Sequence, residues 1–505
     1  MAIANFFDKV SLSASQVLKN YNRSEFEKLL NAITIQISFD EAAAESREGC
    51  ITLDFLIRLI SRLYPYIYIS GPKEKCNELE TLARSINPAI DIRTENVAIN
   101  IVVGSTHAPS DVLTFYIGSD GWDCKLSRIA PVVSKNSTNP LGAAAAACFG
   151  AANVFRVIFQ NHLTHGELDN DFTLSLLDLK QTASISQPDI KNLDIHRVHL
   201  VGLGAIGNSF LYVFKNLPGV KGEIVGIDPE KVAKSNLQRY VLTDQSSIEK
   251  NKVKLIQEFL KDSNLLFDPH KKNWAEYFDS LTDQKINTIA VCVDNATDRI
   301  LTQAALPFGI FNAWTQPDNI GISQHLSFGK TPCLSCLYID ALPRKNRSQE
   351  IADNLNIPHL ERLIRGYLAN EQVLDQNLLN IIKQANNLQA DPTLDSYLGQ
   401  NLNIFYSEVV CGGLLMNFAT DENSKKASNI DVPSAFESAM AGILLAAAII
   451  KKSIGFSTDN ESESIRINLM RPLATYLFSP ECKIDNCICT DNDYVSVYNE
   501  KWGMK

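Results

Sequence analysis

The first residues of the chain lack a basic region followed by an apolar stretch, so the sequence predicts no signal peptide. Positive charge is also scarce: 47 Lys and Arg face 57 Asp and Glu, for a net charge of −10. This balance argues against a general nucleic-acid binder, which needs cations for the phosphates, and we expect no DNA partner. The apolar run from Ala435 to Ile450 contains Glu437 and is short for a membrane span. It predicts a buried helix and no membrane partner.

Without a secretion signal, the 11 cysteines are expected to be reduced thiols, as in a cytoplasmic protein. A chain of 505 residues exceeds what one compact core usually holds, so we expect two or more domains. The order of predicted elements gives five segments. A first unit covers residues 1–165 and a connection covers 166–195. The second unit has a first part over 196–340, a helical insertion over 341–405 and a second part over 406–505.

Both units predict an α/β fold. In the first, FEKLLNAIT and DFLIRLISRLY have apolar residues at helical spacing, whereas YPYIYISG and VAINIVVG predict strands. Alternating strands and helices indicate a Rossmann-like layer architecture. YISGPKEK has one glycine where a phosphate-binding loop needs several, so we expect this unit to be structural. In the second unit, NIFYSEVVCGGLL returns to a strand-like composition after the insertion.

A glycine-rich turn in RVHLVGLGAIGNSFLYVF opens the second unit. Gly202 permits a tight strand-to-helix turn, Gly204 lets a nucleotide approach the backbone, and Gly207 lets helix and strand pack closely. The start of the helix favours an anionic phosphate. Asp228 ends the next predicted strand, EIVGID, where its carboxylate can accept hydrogen bonds from ribose hydroxyls. This spacing predicts a nucleotide site, and an NAD-dependent oxidoreductase is one alternative that has it.

The residues after Asp228 point to a different chemistry. Three segments supply polar residues. SNLQRY contains Asn236 and Arg239, and EKNKVK contains Lys252. VCVDNATDR contains Asp294, Asn295 and Arg299. Over roughly residues 195–490, the order and spacing of these motifs resemble the adenylating enzymes of the ThiF, MoeB and ubiquitin-activating superfamily. The NAD-dependent alternative leaves Arg239 and Lys252 unexplained.

The resemblance implies that the chain uses ATP to activate a carboxylate. Cations are needed because the reaction brings together the attacking carboxylate, the α-phosphate and the departing pyrophosphate. Asp228 would bind ribose, and Asp294 would ligate Mg²⁺ or position the reacting groups. The implied nucleotide-binding set is Gly202, Gly204, Gly207, Asp228, Asn236, Arg239, Lys252, Asp294 and Asn295. Singly, Arg239 and Lys252 would be interpreted as solvated surface charges.

Two groups of cysteines lie far apart in the sequence. KTPCLSCLY contains Cys333 and Cys336, and SPECKIDNCIC contains Cys482, Cys487 and Cys489. Two such pairs can form a Cys₄ zinc site that ties the C-terminal tail to the core. The family commonly has CxxC at both places, and the second group departs from that pattern. We expect Cys482 with either Cys487 or Cys489 as ligands, and free thiols are the alternative.

The resemblance implies two further catalytic residues. Cys411 in EVVCGGLL lies where related enzymes carry the cysteine that forms a thioester, and the alternative is an ordinary buried cysteine on a strand. NYNRSEF resembles a segment that sends an arginine into a neighbouring unit's ATP site, which would make Arg23 catalytic. The alternative for Arg23 is a surface residue at a helix cap.

Together these features predict a pseudo-dimer of two Rossmann-like units, the first inactive and the second an active ThiF-type adenylation domain. The resemblance implies activation of a ubiquitin-like protein by ATP·Mg²⁺, followed by transfer through Cys411 to a ubiquitin-conjugating-type enzyme. The size and composition resemble bacterial versions from anti-phage defence operons. The alternatives are adenylation of a sulfur carrier or a peptide, and a non-catalytic scaffold. Either a monomer with the internal pseudo-dimer or a homodimer is compatible with this organisation.

Overall fold

The computed structural model describes residues 3–108, 111–184, 186–316, 319–339, 347–389, 392–406, 409, 432–456 and 463–504. Two mixed sheets, each the centre of a Rossmann-like unit, form the body of the chain. This confirms the predicted fold class. The first sheet continues to residue 175, past the predicted boundary of the first unit at residue 165.

The first unit is built on a seven-stranded sheet of order β3-β2-β1-β4-β5-β6-β7. The strands from β3 to β5 in that order are parallel, and the last two pairs are antiparallel. Its elements are α1 (Phe7–Val17), α2 (Arg23–Asn31), β1 (Thr34–Phe39), α3 (Glu41–Glu45), α4 (Arg47–Ile60), β2 (Tyr66–Ser70), α5 (Lys73–Ile86), β3 (Asp91–Ile92), β4 (Val97–Val103), β5 (Leu113–Asp120), β6 (Asp123–Ser127), α6 (Leu141–Phe159) and β7 (Phe172–Ser175).

The second unit has an eight-stranded sheet of order β10-β9-β8-β11-β12-β13-β14-β15. Its elements up to the insertion are β8 (Asp194–Val201), α7 (Ala205–Lys215), β9 (Lys221–Ile227), α8 (Lys252–Leu260), β10 (Leu266–His270), α9 (Trp274–Asp279), β11 (Thr288–Val291), α10 (Ala296–Ala304), β12 (Gly309–Gln316), β13 (Asn319–His325) and α11 (Leu334–Tyr338). The insertion and the closing elements are α12 (Arg347–Asn354), α13 (Glu361–Ala369), α14 (Gln376–Ala385), α15 (Leu402–Phe405), α16 (Ala435–Ser453), β14 (Glu463–Ile467), β15 (Phe478–Pro480) and α17 (Asn492–Trp502).

The two units repeat one connectivity. In each, a central strand (β1 or β8) is flanked by the next strand on one side and by a later parallel strand on the other. Each sheet then turns antiparallel, and a 19-residue buried helix, α6 or α16, leads to the following strand. The insertion interrupts only the second copy, and its helices pack around a hydrophobic core of their own. The arrangement is an internal pseudo-dimer.

In the first unit, the loop equivalent to the glycine-rich turn follows a different strand from the one that the sequence analysis considered. The apolar residues around Ile35 form β1, and this strand is the counterpart of β8. The loop equivalent to the glycine-rich turn therefore follows β1 and begins with Asp40, whose Oδ1 accepts a hydrogen bond from the backbone N–H of Ala43 and caps α3. A carboxylate at this position repels a phosphate. The prediction from YISGPKEK examined the wrong strand, because a short apolar run does not distinguish a helix end from a buried strand.

A second local prediction was also wrong. The residues at the start of NIFYSEVVCGGLL are helical, because Leu402–Phe405 forms α15 and Asn401 caps it with its side chain. Leu402 and Phe405 are buried in the core of the insertion, so their apolar character reflects helix packing rather than a strand.

The two units meet through four helices. α4 packs on α6 in the first unit, α7 packs on α16 in the second, and α6 packs on α16 across the interface. Nearly every residue of α6 and α16 is buried, which accounts for their apolar composition. The predicted buried helix at Ala435 is thus confirmed. Among the described residues, the stretch Leu141–His162 is long and apolar enough to cross a membrane, and 89% of its apolar window is buried inside the protein.

Lys451, in the last turn of α16, makes the stability of the protein depend on pH. Its side chain is buried, and burial lowers its pKa to about 8. An unfolded lysine keeps its proton to about pH 10.5, so the free energy of unfolding should rise between about pH 8 and 10.5. Lys452, whose pKa is lowered to about 8 by burial, contributes in the same direction.

Replacing Lys451 by methionine should therefore stabilise the protein. We expect Lys451→Met to increase the free energy of unfolding at pH 7 by about 1 to 3 kcal/mol and to reduce its rise between pH 8 and 10.5. Denaturant unfolding at several pH values measures both. The control is Lys254→Met on the exposed face of α8, which should change stability by less than about 0.5 kcal/mol. A destabilised Lys451→Met protein would contradict the prediction.

Candidate active site

Three loops of the second unit meet at one edge of its sheet. Val201 pairs with Ile227 on β9 and with Val291 on β11, so the chain leaves all three parallel strands at the same level. The carboxyl edge of a parallel sheet is the usual place for a ligand in this type of fold. The glycine loop, Asp228 and the second signature therefore converge here, as the sequence predicts.

The glycine loop makes a turn that other residues would strain. Gly202 follows β8 with φ +92°, and a Cβ at this position would lie 2.9 Å from the carbonyl oxygen of Cys292. Gly204 is the N-cap residue of α7, and Gly207 lies in the first turn of that helix. Because the backbone amides at the start of α7 face the sheet edge, this turn can bind an anionic phosphate.

Asp228 joins the glycine loop to the segment that follows β9. One carboxylate oxygen, Oδ2, accepts a 2.8 Å hydrogen bond from the backbone N–H of Leu203. The other, Oδ1, accepts a 2.9 Å bond from the N–H of Glu230. The ammonium of Lys252 lies 3.4 Å from Oδ2. Asp228 and Lys252 are both buried, so this carboxylate fixes three parts of the site to one another.

Lys252 lies between two carboxylates. Its Nζ is 2.5 Å from Glu230 Oε2, and the Glu230 side chain is 68% exposed. Burial disfavours the charged form of Lys252, but attraction to Tyr240, Asp228 and Glu230 more than offsets it, so the pKa of Lys252 is raised. For Asp228 burial dominates, and its pKa is raised despite Lys252. The site thus holds one buried cation whose charge is shared by two acids.

Residues 229–251 form a long segment that leaves the sheet edge and returns to it. It is closed at its base by two backbone hydrogen bonds, from Val232 N–H to Lys250 O and from Glu249 N–H to Val232 O, each 2.8 Å long. The return brings Lys252 to the start of α8, directly beside Asp228. This closure explains how a lysine 24 positions along the sequence reaches Asp228.

Asn236 and Arg239 lie on the 229–251 segment. Asn236 belongs to a 3₁₀ helix, Lys234–Gln238, and its Oδ1 accepts a 2.9 Å hydrogen bond from the N–H of Ala233. The side-chain oxygen of Asn236 therefore closes the turn at the start of this 3₁₀ helix. Arg239 follows this helix and is half-buried. Within the described ranges no carboxylate lies at ion-pair distance from its guanidinium, which leaves a cation at the site that a phosphate can neutralise.

Asn208, which the sequence analysis did not single out, connects the two sides of the site. Its amide nitrogen donates to the carbonyl oxygens of Leu203 and Gly204, both at 2.9 Å. Its Oδ1 accepts a bond from the N–H of Leu242, in the 229–251 segment, at 3.2 Å. The available signal was an amide side chain directly after Gly207 on a mostly apolar helix.

The second signature divides into an exposed part and a buried part. Asp294 is exposed at the end of β11. Asn295 is also exposed and caps α10: its Oδ1 accepts a 2.8 Å bond from Asp298 N–H, and its amide donates to the Asp298 carboxylate. Asn295 thus has a structural partner beside the predicted nucleotide site.

Arg299 supports the loop that carries Asp294. Its guanidinium is buried and donates to the Asn312 side chain, to the carbonyl oxygen of Val293, and to that of Ala313 at 2.9 Å. Three bonds from one planar group tie this loop to the neighbouring strand β12. The arginine of the signature therefore has a positioning role.

Arg23 is engaged within the first unit. It forms ion pairs with Asp8 at 2.9 Å and with Glu27 at 2.8 Å, and its guanidinium packs over the Phe7 ring. The cap of α2 is Asn22, whose side chain accepts from Glu25 N–H. The structure brings Arg23 to these first-unit residues and gives it no contact with the described residues of the second unit's site. Cys411 lies outside the described residues.

Four cysteines of the second unit come together where the start of α11 meets the segment before α17. The sulfur atoms of Cys333 and Cys336 are 3.9 Å apart, Cys333 and Cys487 are 3.5 Å apart, and Cys336 and Cys489 are 3.4 Å apart. All four side chains are buried, and the sulfur atoms lie within 4.8 Å of one another. Cys482 is exposed and outside this group. The structure therefore pairs the first CxxC with Cys487 and Cys489, and differs from the expectation for Cys482.

Comparison with known proteins identifies two matching families. The ThiF family matches residues 178–489, and Prokaryotic E2 family C matches residues 38–160. The uncharacterized protein y4jF of Sinorhizobium fredii is 40% identical over 512 residues, which cover 100% of this chain and 98% of that protein.

Solved structures of E. coli MccB are also similar. The structure with MccA-N7isoASN has 18% identity and a TM-score of 0.36, covering 59% of this chain and 67% of MccB. The structure with ATP has 17% identity and a TM-score of 0.35, covering 60% of this chain and 68% of MccB. A likeness at this level carries no statement about activity. The ThiF match covers more than half of the sequence, so the chain belongs to the ThiF family of adenylating enzymes.

Proposed function

We propose that the second unit adenylates the C-terminal carboxylate of a ubiquitin-like protein with ATP·Mg²⁺. The observation that carries this proposal is the grouping of the glycine loop, the Asp228–Lys252 pair and Arg239. The Arg239 guanidinium has no ion pair among the described residues and lies 5.9 Å from the Tyr240 ring, and Lys252 Nζ lies 5.4 Å from the same ring. A dehydrogenase needs the glycine loop and the Asp228 carboxylate, but it has no use for the Lys252 cation or for an arginine without an ion pair. An adenylating enzyme needs both cations, because negative charge accumulates on the phosphates as pyrophosphate leaves.

The proposed reaction follows from these positions. A carboxylate oxygen of the substrate attacks the α-phosphorus of ATP, the bond to the β-phosphate oxygen breaks, and pyrophosphate departs with its electron pair. Arg239 and Lys252 stabilise the charge on the phosphates, and Asp228 holds the ribose. Asp294 is exposed and has no cationic partner among the described residues, so its carboxylate is free to hold Mg²⁺. When bound, Mg²⁺ neutralises phosphate charge.

In the second proposed step a cysteine thiolate attacks the acyl carbon, AMP leaves, and the thioester passes to a ubiquitin-conjugating-type enzyme. We assign this thiolate to Cys411 from its sequence position. Cys411→Ala should then abolish the thioester while pyrophosphate exchange survives. A thioester that persists in this variant would contradict the assignment. A cytoplasmic setting and a role in anti-phage defence rest on the resemblance.

The match to Prokaryotic E2 family C raises the question of a carrier thiol in the first unit. The matched range contains Cys50, Cys76, Cys124 and Cys148, and burial raises the pKa of each thiol. The Cys50 thiol, the most exposed of the four, donates to the carbonyl oxygen of Ala44. A nucleophilic cysteine needs a stabilised thiolate, so these environments favour a structural first unit.

The role of Arg239 can be tested with little risk to folding, because its guanidinium is half-buried and has no ion pair within the described ranges. We expect Arg239→Met to weaken ATP binding about tenfold and to slow ATP–pyrophosphate exchange about a hundredfold, with an unchanged melting temperature. Calorimetric titration and exchange with a ubiquitin-like protein that ends in glycine measure these effects. Lys234→Met, exposed on the adjacent 3₁₀ helix, is the control and should retain the wild-type rate.

Two results would contradict the proposal. One is equal loss of exchange in Arg239→Met and Lys234→Met. The other is wild-type protein that binds NAD in the titration and not ATP. Mass spectrometry of the product identifies the acceptor, since a thiocarboxylate or an adenylated peptide would indicate the sulfur-carrier or peptide alternative.

We also propose that Cys333, Cys336, Cys487 and Cys489 bind a structural zinc ion. Zinc–sulfur bonds of about 2.3 Å in a tetrahedron place the sulfur atoms about 3.8 Å apart. The separations of 3.4, 3.5 and 3.9 Å fit this geometry. The cluster joins the start of α11 to the segment before α17, so the metal would hold the C-terminal helix against the core.

Metal analysis distinguishes this cluster from free thiols. We expect about one zinc per chain in the wild type and in Cys482→Ser, whose thiol is exposed and outside the cluster. Cys489→Ser should lose the zinc, and its melting temperature should fall by about 5 °C or more, because the tail loses its attachment. Equal zinc content in the two variants would contradict the assignment.

A further inference from the structure

An arginine of the first unit donates hydrogen bonds to the 229–251 segment. Arg62 lies just beyond α4 and donates from its two terminal nitrogens to the carbonyl oxygens of Leu237 and Thr243, the latter at 2.8 Å. These carbonyls are on either side of Arg239 in the sequence. A planar guanidinium that binds two carbonyls fixes the distance and the orientation between them. Arg62 therefore constrains the short stretch of backbone that carries Arg239.

Arg58 adds a third bond to the same stretch. Its guanidinium donates to the carbonyl oxygen of Val241 at 3.0 Å, and it is held in place by an ion pair with Asp54 at 2.8 Å. The hydroxyl of Tyr212 on α7 donates to the same Asp54 carboxylate at 2.7 Å. The first unit thus contacts three carbonyls within residues 237–243, through two arginines that are four positions apart in the sequence.

The charge of Arg62 is buried at a cost. The residue is 1% exposed, and in the part of the chain that the structure describes no carboxylate forms an ion pair with it. Burial lowers its pKa to about 9, and the nearby charge of Arg58 acts in the same direction. A buried cation is tolerated when hydrogen bonds satisfy it, and here backbone carbonyls of the other unit accept from both terminal nitrogens, while Nε is buried without a hydrogen-bond partner among the described residues. An apolar side chain would fill this space without that cost.

The arginine contacts are one-sided. α7, the counterpart of α4, has the sequence AIGNSFLYVFK and carries no arginine. The first unit has no counterpart of the 229–251 segment, because α5 begins at Lys73, directly after β2 and the Gly71–Pro72 turn. The arginine bonds therefore run from the first unit to the unit with the proposed nucleotide site, and the Tyr212 hydroxyl donates in the opposite direction. Arg23, the residue expected to act across the interface, is paired within its own unit.

We propose that Arg62 and Arg58 are positioning residues for ATP binding: they hold residues 237–243 so that Arg239 faces the nucleotide phosphates. This inference rests on the proposed use of ATP by the second unit. It gives the first unit a function that needs no nucleotide and no thiol of its own. It also accounts for two arginines beside the apolar helices α6 and α16 that pack across the interface.

The decisive variant is Arg62→Met, which keeps an unbranched apolar stem and removes the donors. We expect the dissociation constant for ATP and the KM for ATP in pyrophosphate exchange to rise about fivefold and kcat to fall about tenfold, smaller effects than in Arg239→Met because the Arg239 guanidinium is displaced rather than removed. Arg62→Lys should recover only part of the affinity, because one ammonium cannot bridge two carbonyls in a fixed geometry. Amide hydrogen exchange in residues 237–243 should accelerate in Arg62→Met.

Arg47→Met is the matched control. Arg47 also donates across the interface, to the carbonyl oxygen of Asn216 at 2.6 Å, but this carbonyl ends α7 and lies outside the 229–251 segment. It should lower the melting temperature without changing the affinity for ATP. If Arg62→Met does not fold, Arg58→Met, which leaves both Arg62 bonds in place, should raise the dissociation constant about threefold.

The outcomes separate this inference from the proposed function. Wild-type protein that does not bind ATP overturns both. Wild-type protein that binds ATP, with Arg62→Met and Arg58→Met that are less stable yet bind ATP equally well, overturns the positioning role alone. Loss of ATP affinity in Arg47→Met to the same extent as in Arg62→Met would overturn it too, since any interface bond would then suffice.

Discussion

The close packing of α16 on α7 is the constraint on which the rest of the structure depends. A Cβ at Gly442 of α16 would lie 2.3 Å from the carbonyl oxygen of Ile206, so the two helices can meet at this distance only through glycine. α7 begins at the glycine loop, and α16 also packs on α6 of the first unit. One interface therefore fixes the nucleotide loop and places α4, with its arginines, against residues 237–243.

The electrostatics of the site follow from this frame. Asp228 is buried and would be costly as an isolated charge, but two backbone N–H groups and Lys252 satisfy it. Its bonds in turn hold the glycine loop and both ends of the 229–251 segment. The remaining cation, Arg239, has no ion pair among the described residues, and in the proposed function it binds the nucleotide phosphates. A site of this kind is preorganised for phosphate, because its charges are fixed before the nucleotide arrives.

The sequence was sufficient to predict those parts of the candidate site that depend on local backbone geometry. The glycine loop, Asp228 and the signature around Asp294 follow strands that are adjacent in the sheet, so their convergence could be predicted from spacing. It was insufficient where partners are distant. Arg62 meets Leu237 across 175 positions of the sequence, and no local pattern marks that contact. Asp40 was missed because the short strand β1 resembled the end of a helix. The choice of Cys489 over Cys482 needed the fold of the tail.

The central claim is that the second unit joins a substrate carboxylate to the α-phosphate of ATP. The most direct test uses a ubiquitin-like protein with ¹⁸O in its C-terminal carboxylate and mass spectrometry of the nucleotide released. Attack by a carboxylate oxygen leaves that oxygen on phosphorus when a thiol later takes the acyl group. The account therefore predicts AMP that carries one ¹⁸O, together with unlabelled pyrophosphate. Unlabelled AMP, or ADP with inorganic phosphate, would contradict it.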